Sequence, residues 1–134
     1  MSTAESRRHL LDSHTFLWLA TGDARLPPDL RDRLADPEVE LLLSVASIWE
    51  MAIKKSLGKL TTTIPLEELI AAQCEAMAVS VLDVRREHAL GVVTLPFHHR
   101  DPFDRLLVAQ AVTEGLALVS RDEAFDGYPV ERVW

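Results

Sequence analysis

Short apolar runs alternate along the chain with longer segments in which apolar residues recur at helical spacing. That alternation marks repeated βα units and predicts an α/β fold with a largely parallel sheet flanked by helices. Strands are expected near residues 10–12, 40–45, 79–84, 117–120 and 130–133. Helices are expected over 14–20, 28–35, 48–57, 66–77, 86–92 and 102–114. The punctuation agrees. Gly58 and Gly115 stand as helix stops, and Pro28, Pro65 and Pro102 sit at helix starts. No repeat or linker interrupts the pattern, so residues 1–134 read as one domain with a flexible polar N-terminus over 1–8.

The strand-like runs lead into acids. His9-Leu10-Leu11 runs into Asp12, Leu41-Leu42-Leu43-Ser44-Val45 leads to Glu50, and Leu116-Ala117-Leu118-Val119-Ser120 ends near Asp122, while Asp104 opens the apolar Leu106-Leu107-Val108-Ala109. In a parallel sheet, strand ends of this kind lie at one edge, where ligands bind. Crowded carboxylates repel one another and are costly to desolvate, so a cluster of them calls for a cation. Hard divalent ions such as Mg²⁺ and Mn²⁺ prefer such oxygen donors. The spacing leaves one ion or two open.

Each acid also has a structural reading. Asp12 is a good N-cap for the next helix, and Asp122 is another. Ser47-Ile48-Trp49-Glu50 matches a capping box, which would fold Glu50 back onto the Ser47 amide. Asp101-Pro102 reads as a cap followed by Pro at the first helical position. Asp104 shares a helical face with Leu107, Val108 and Ala111, so it points along the buried side and wants a partner there.

Composition narrows the class. At 134 residues with 48% hydrophobic content and five Gly, the chain can bury one core and needs no second domain. Cys74 is the only cysteine and cannot form an internal disulfide; it shares a face with Leu66, Leu69, Ile70 and Met77 and is expected in the core. No apolar run approaches the roughly 18 residues of a membrane span, and the polar start does not resemble a secretory signal, so the cytoplasm is expected. A formal charge of -7 disfavours broad adhesion to nucleic acid or anionic membrane. A captured cation would invert the potential locally, which keeps a nucleic-acid substrate open. Glycine-rich phosphate cradles are absent, and the five His show no zinc spacing with cysteine. His98-His99, between Pro96 and Pro102, reads as a solvated loop pair ahead of a substrate contact; His14, two residues after Asp12, could face the site but reads rather as packing or capping, and Trp18 and Trp49 read as core or interface anchors rather than base-stacking platforms.

Four ordered segments carry a resemblance. Leu10-Leu11-Asp12-Ser13-His14, Ser44-Val45-Ala46-Ser47-Ile48-Trp49-Glu50-Met51-Ala52-Ile53-Lys54, Asp101-Pro102-Phe103-Asp104-Arg105-Leu106-Leu107-Val108-Ala109-Gln110-Ala111 and Leu118-Val119-Ser120-Arg121-Asp122 together resemble PIN-domain ribonucleases, in particular the VapC-type toxins of bacterial toxin–antitoxin pairs. The resemblance implies a PIN-like three-layer fold with strand order 3-2-1-4-5. It also implies metal-dependent endonucleolytic cleavage of RNA with Mg²⁺, or Mn²⁺, as cofactor. Carried over by position, Asp12, Glu50, Asp104 and Asp122 are the metal ligands and catalytic acids, with Asp101 the competitor for the third place. Ser13 and Ser120 are supporting hydroxyls, and Arg105 and Arg121 adjoin ligands and are candidates for RNA contact. A cognate antitoxin, whose arginine would pair with the carboxylates, and a homodimer are the partners implied. The rival reading is a catalytically silent PIN-like module that uses its groove for a protein partner. A receiver-type phosphoacceptor fits less well, because Arg121 and Asp122 stand where its lysine would be expected.

Overall fold

Among the described residues five parallel strands form one sheet in the order β3-β2-β1-β4-β5, where β1 is Arg8–Leu11, β2 Glu40–Ser44, β3 Val79–Leu82, β4 Ala117–Val119 and β5 Arg132–Val133. The computed structural model describes residues 7–134. Among the described residues six helices connect the strands: α1 (Ser13–Thr21), α2 (Pro28–Leu34), α3 (Val45–Ser56), α4 (Leu66–Ala76), α5 (Arg86–Gly91) and α6 (Pro102–Glu114), with short 3-10 turns at Val92–Thr94 and Glu123–Gly127. The strand order is the one the resemblance implied.

Residue alternation along each strand divides the core in two. Leu11, Leu41, Leu43, Ala117 and Val119 face a layer made by Phe16 and Leu19 of α1, Leu30 and Leu34 of α2 and Met51 of α3. Leu10, Leu42 and Leu118 face the opposite layer, where Leu107, Val108 and Ala111 of α6 pack with Phe125 and Tyr128. Because both faces are covered, the strands are nearly continuous apolar runs, as buried parallel strands are. A single register aligns their ends: Leu11 pairs with Leu43 on one side and Val119 on the other. Asp12, Ser44 and Ser120 therefore leave the sheet at one level, beside the point where the strand order reverses between β1 and β4.

Several boundaries differ from the sequence reading. Of the N-terminal segment expected over 1–8, residues 1–6 lie outside the described residues, and Arg8 already belongs to β1, paired with Glu40. The third helix starts at Val45, not at residue 48. Ser44, not Ser47, is its cap, accepting from the Ala46 amide at 3.0 Å. The Ser-x-x-Glu box does not form, because Ser47 is a buried residue inside the helix, and Glu50 is free to serve elsewhere. Cys74 is half-buried on a helix with no fully buried residue; burial still pushes its thiol up. The amphipathic pattern placed α4 against the core, but Leu66, Ile70, Cys74 and Met77 cover its margin instead of entering it.

Candidate functional site

At the carboxyl edge of the sheet, Asp12, Ser13, His14, Glu50, Lys54, Asp101, Asp104, Asp122 and Phe125 line one cleft of about 130 Å³. Every acid singled out from the sequence is therefore in the same place, carried there by β1, α3, α6 and the turn after β4. The register explains Asp12 and Asp122, and the packing of α3 against α6 brings Glu50 and Asp104 across from them.

Capping and clustering turn out to be compatible. Asp12 Oδ1 accepts from the Thr15 amide at 2.8 Å as the cap of α1, and its carboxylate still lines the cleft. Asp122 caps the 3-10 turn through the Ala124 amide at 2.9 Å. Asp101 Oδ1 accepts from the amides of Phe103 at 2.8 Å and Asp104 at 3.2 Å, which fixes the start of α6. Glu50 is held by the Ser13 hydroxyl, which donates to Oε1 at 2.6 Å, and by Lys54, whose Nζ lies 3.4 Å from Oε2. Ser120 is buried, and its Oγ accepts from the Asp122 amide at 3.0 Å, setting the turn that aims Asp122.

His99 completes the cluster, and sequence reasoning missed it. Its Nε2 lies 2.8 Å from Asp122 Oδ2 and 3.0 Å from Asp104 Oδ2. Its Nδ1 accepts from the Asp101 amide at 3.2 Å, so the hydrogen-bond pattern makes Nε2 the protonated nitrogen and a donor to both carboxylates. The loop that carries His99 is tied down from below. Arg105 is buried, and its guanidinium donates to the carbonyls of Pro96 at 2.8 Å, Leu95 at 3.1 Å and Val92 at 3.2 Å. The Tyr128 hydroxyl donates to Pro96 O at 2.7 Å and accepts from the His99 amide at 2.9 Å. Arg105 thus corrects the expectation of an RNA contact: its donors are used on backbone carbonyls and do not reach solvent. Arg121, in contrast, is exposed and lines an adjoining recess with Asp12, His14, Trp18, Ser120 and Asp122. The signal for His99 was present in its position, two residues before the cap of an acid-bearing helix. A histidine in a loop, however, has no periodicity to betray its direction.

The electrostatics of the cleft are unbalanced. Burial pushes the Asp104 carboxyl up to about 7, reinforced by the neighbouring charges of Asp101, Glu50 and Asp12 and opposed by His99. Burial also acts upward on Asp122, but the Ala124 amide and the His99 donor outweigh it and hold that carboxyl below its usual range. A cluster in which one acid resists ionisation near neutral pH is short of positive charge. Among the described residues, the donor atoms that lie within 4.8 Å of one another are those of His99, Asp104 and Asp122, and Asp12, Glu50 and Asp101 line the same cleft, so carboxylate oxygens, the donors a hard dication prefers, outnumber the one imidazole.

The PIN domain family model matches residues 9–131. The chain belongs to the PIN domain family. No curated protein matches it. Among solved structures, it is similar to VapBC2 from Rickettsia felis bound to a DNA fragment from its promoter, at a TM-score of 0.72 and 12% identity over 94% of this chain and 97% of that one. It is also similar to a toxin–antitoxin complex from Klebsiella pneumoniae, at a TM-score of 0.61 and 18% identity over 94% of this chain and 96% of that one. At those identities the likeness shows the fold. PIN domains are typically metal-dependent nucleases, and the oxygen-rich cleft fits that chemistry. Among the described residues no helix is long and apolar enough to cross a membrane.

Proposed function

We propose that this PIN domain is a Mg²⁺- or Mn²⁺-dependent endoribonuclease and the toxin of a toxin–antitoxin pair acting in the cytoplasm. The observation that carries the reading is the convergence of Asp12, Glu50, Asp104 and Asp122 in one cleft, where burial, reinforced by the neighbouring acids, pushes the Asp104 carboxyl up. The two structural neighbours, both toxin–antitoxin complexes, support an antitoxin partner.

In this reading Asp12 and Asp104 would hold the ion, with Glu50 and Asp122 as its further ligands, directly or through water. The ion, when bound, supplies the charge that stabilises the phosphate in its transition state and lowers the pKa of the attacking water. The protein does the rest. Ser13 keeps Glu50 turned inward, His99 aligns Asp104 with Asp122, and Glu50 or Asp122 takes the proton from the attacking water. In-line attack leaves 5'-phosphate and 3'-hydroxyl ends. Lys54 at the cleft and Arg121 in the adjoining recess are available to the RNA backbone, an arginine of the antitoxin would pair with the acids in the inhibited state, and two copies of the chain form the working dimer.

The test is cleavage of a defined RNA pool by purified protein with Mg²⁺ or Mn²⁺, with chelator, and with Asp12→Asn. Cutting is expected only in the metal lanes of the parent protein. Equal cutting by Asp12→Asn would remove the reading, and metal binding without cutting of any RNA would favour the silent binding module.

A further inference from the structure

Trp49 and Phe103 occupy matched places on the two helices that carry acids: Trp49 directly precedes Glu50 on α3, and Phe103 directly precedes Asp104 on α6. Their rings meet edge to face, with centroids 5.3 Å apart and planes at 69°. Trp49 nevertheless remains 61% exposed, which is unusual for so large an apolar side chain. An edge-to-face pair fixes the indole while leaving surface of the ring open.

The surroundings identify what that surface suits. Lys54 lines the cleft one turn beyond Glu50, with which it pairs, and Arg121 lies exposed next to Asp122 in the recess that adjoins the cleft. Cations that can follow a phosphate backbone, together with a fixed aromatic face, are the pairing that binds single-stranded nucleic acid. A docked protein helix would call for a broad apolar ridge. The apolar groove that α3 does offer is lined by Ile48 and Ala52 with Leu66, Ile70 and Val81 and does not include Trp49, which turns instead to Phe103 of α6.

We infer that Trp49, braced by Phe103, is the stacking platform for one unpaired base of the RNA, at the margin of the acid cleft. The inference rests on the nuclease reading and adds to it a base-contacting residue. A base in a duplex is already stacked on both faces, so the platform selects an unpaired segment.

The full-length protein carrying Asp12→Asn, in which binding without cutting is expected, is the parent for the test. Fluorescence anisotropy with labelled single-stranded oligoadenylate and oligouridylate, in Mg²⁺, reads affinity, and size-exclusion chromatography with light scattering reads the oligomer. Trp49→Ala should weaken binding of the single strands by about 5- to 150-fold, the range for one lost stack, while Trp49→Phe keeps most of the affinity. A duplex probe should respond to neither substitution. Unchanged affinity in Trp49→Ala, with the parent still binding RNA, overturns the platform and leaves the nuclease reading standing. Loss of a dimer in Trp49→Ala without loss of RNA affinity overturns it in favour of an interface between copies. Failure of the parent to bind RNA, with no cutting by the unsubstituted protein, removes both.

Discussion

Two histidines in this chain are wired alike and end in opposite situations. His88 Nδ1 accepts from the Arg85 amide at 2.9 Å, and its Nε2 lies 2.8 Å from Glu114 Oε2. His99 repeats the arrangement with the Asp101 amide and Asp122. Around His88 the charges balance: the His88 hydrogen bond, with Arg85 and Arg8 nearby, holds the Glu114 carboxyl below its usual range. Around His99 a single imidazole faces Asp104 and Asp122, with Asp101, Glu50 and Asp12 behind them, and Asp104 rises to about 7. The local hydrogen bonding is the same in both places. What marks the second as a site is the surplus of acid that the fold leaves uncompensated.

Asp104→Asn gives the widest separation between the two regions. RNA cleavage should fall by more than about 100-fold, since even the partners that merely orient metal ligands are worth roughly 10- to 100-fold. Stability should move the other way. The folded-state pKa of Asp104 is raised above its unfolded value, so between about pH 4 and pH 7 the folded protein binds more protons than the unfolded chain. Stability of the metal-free protein therefore falls as pH rises through that window, by an amount on the order of 4 kcal/mol. Asparagine removes this slope, and Mg²⁺ at about 100 times its Kd should return roughly 2.7 kcal/mol to the parent and little to the variant. Thermal unfolding across pH, with and without Mg²⁺, decides it; an unchanged slope in Asp104→Asn would mean that the cleft is not acid-strained.

The same substitution logic should invert at the balanced site. His88 is fully buried between α5 and α6, so His88→Ala leaves the Arg85 amide and Glu114 without their partner. A loss of about 1–3 kcal/mol in stability is expected, with cleavage per folded molecule unchanged. Denaturant titration together with an active-site-normalised rate checks both halves. A drop in metal affinity would show instead that the two histidines communicate.

How far each region could be read in advance follows from the kind of signal it carries. The strands were visible because Leu10-Leu11, Leu41-Leu42-Leu43 and Leu116-Ala117-Leu118-Val119 are apolar on both faces, and burial in a covered sheet imposes that directly. The acids were visible because strand ends are fixed by register. Boundaries were less so: Ser44 and Ser47 are both credible caps, and the competition is decided by whether Ser47 is buried, which is a tertiary fact. Arg105 was misread for a similar reason. Adjacency to Asp104 suggests the cleft, but successive helical residues point about 100° apart, and Arg105 turns beneath the loop it clamps. His99 depends on that clamp and on Tyr128, whose hydroxyl comes from 29 residues further along the chain, so no local pattern could place it.

The smallest expected effect tests whether the cleft needs its neutral supports as well as its charges. Ser13 is buried, and its hydroxyl donates to Glu50 at 2.6 Å, competing with Lys54 for the same carboxylate. In Ser13→Ala that donor is gone, and Glu50 is free to swing toward Lys54, which lies one turn along the same helix. The backbone of α1 should be untouched, because its cap comes from Asp12 and not from Ser13. Metal affinity should therefore fall by about tenfold, at the low end of what an orienting partner is worth, while unfolding shifts by less than about 1 kcal/mol. Ser13→Thr, which keeps a hydroxyl, should recover much of the affinity. Mn²⁺ titration by calorimetry separates these outcomes: if alanine and threonine bind alike, Glu50 is held in place by Lys54 alone, and the uncharged half of the cleft has no part in shaping the ion's cage.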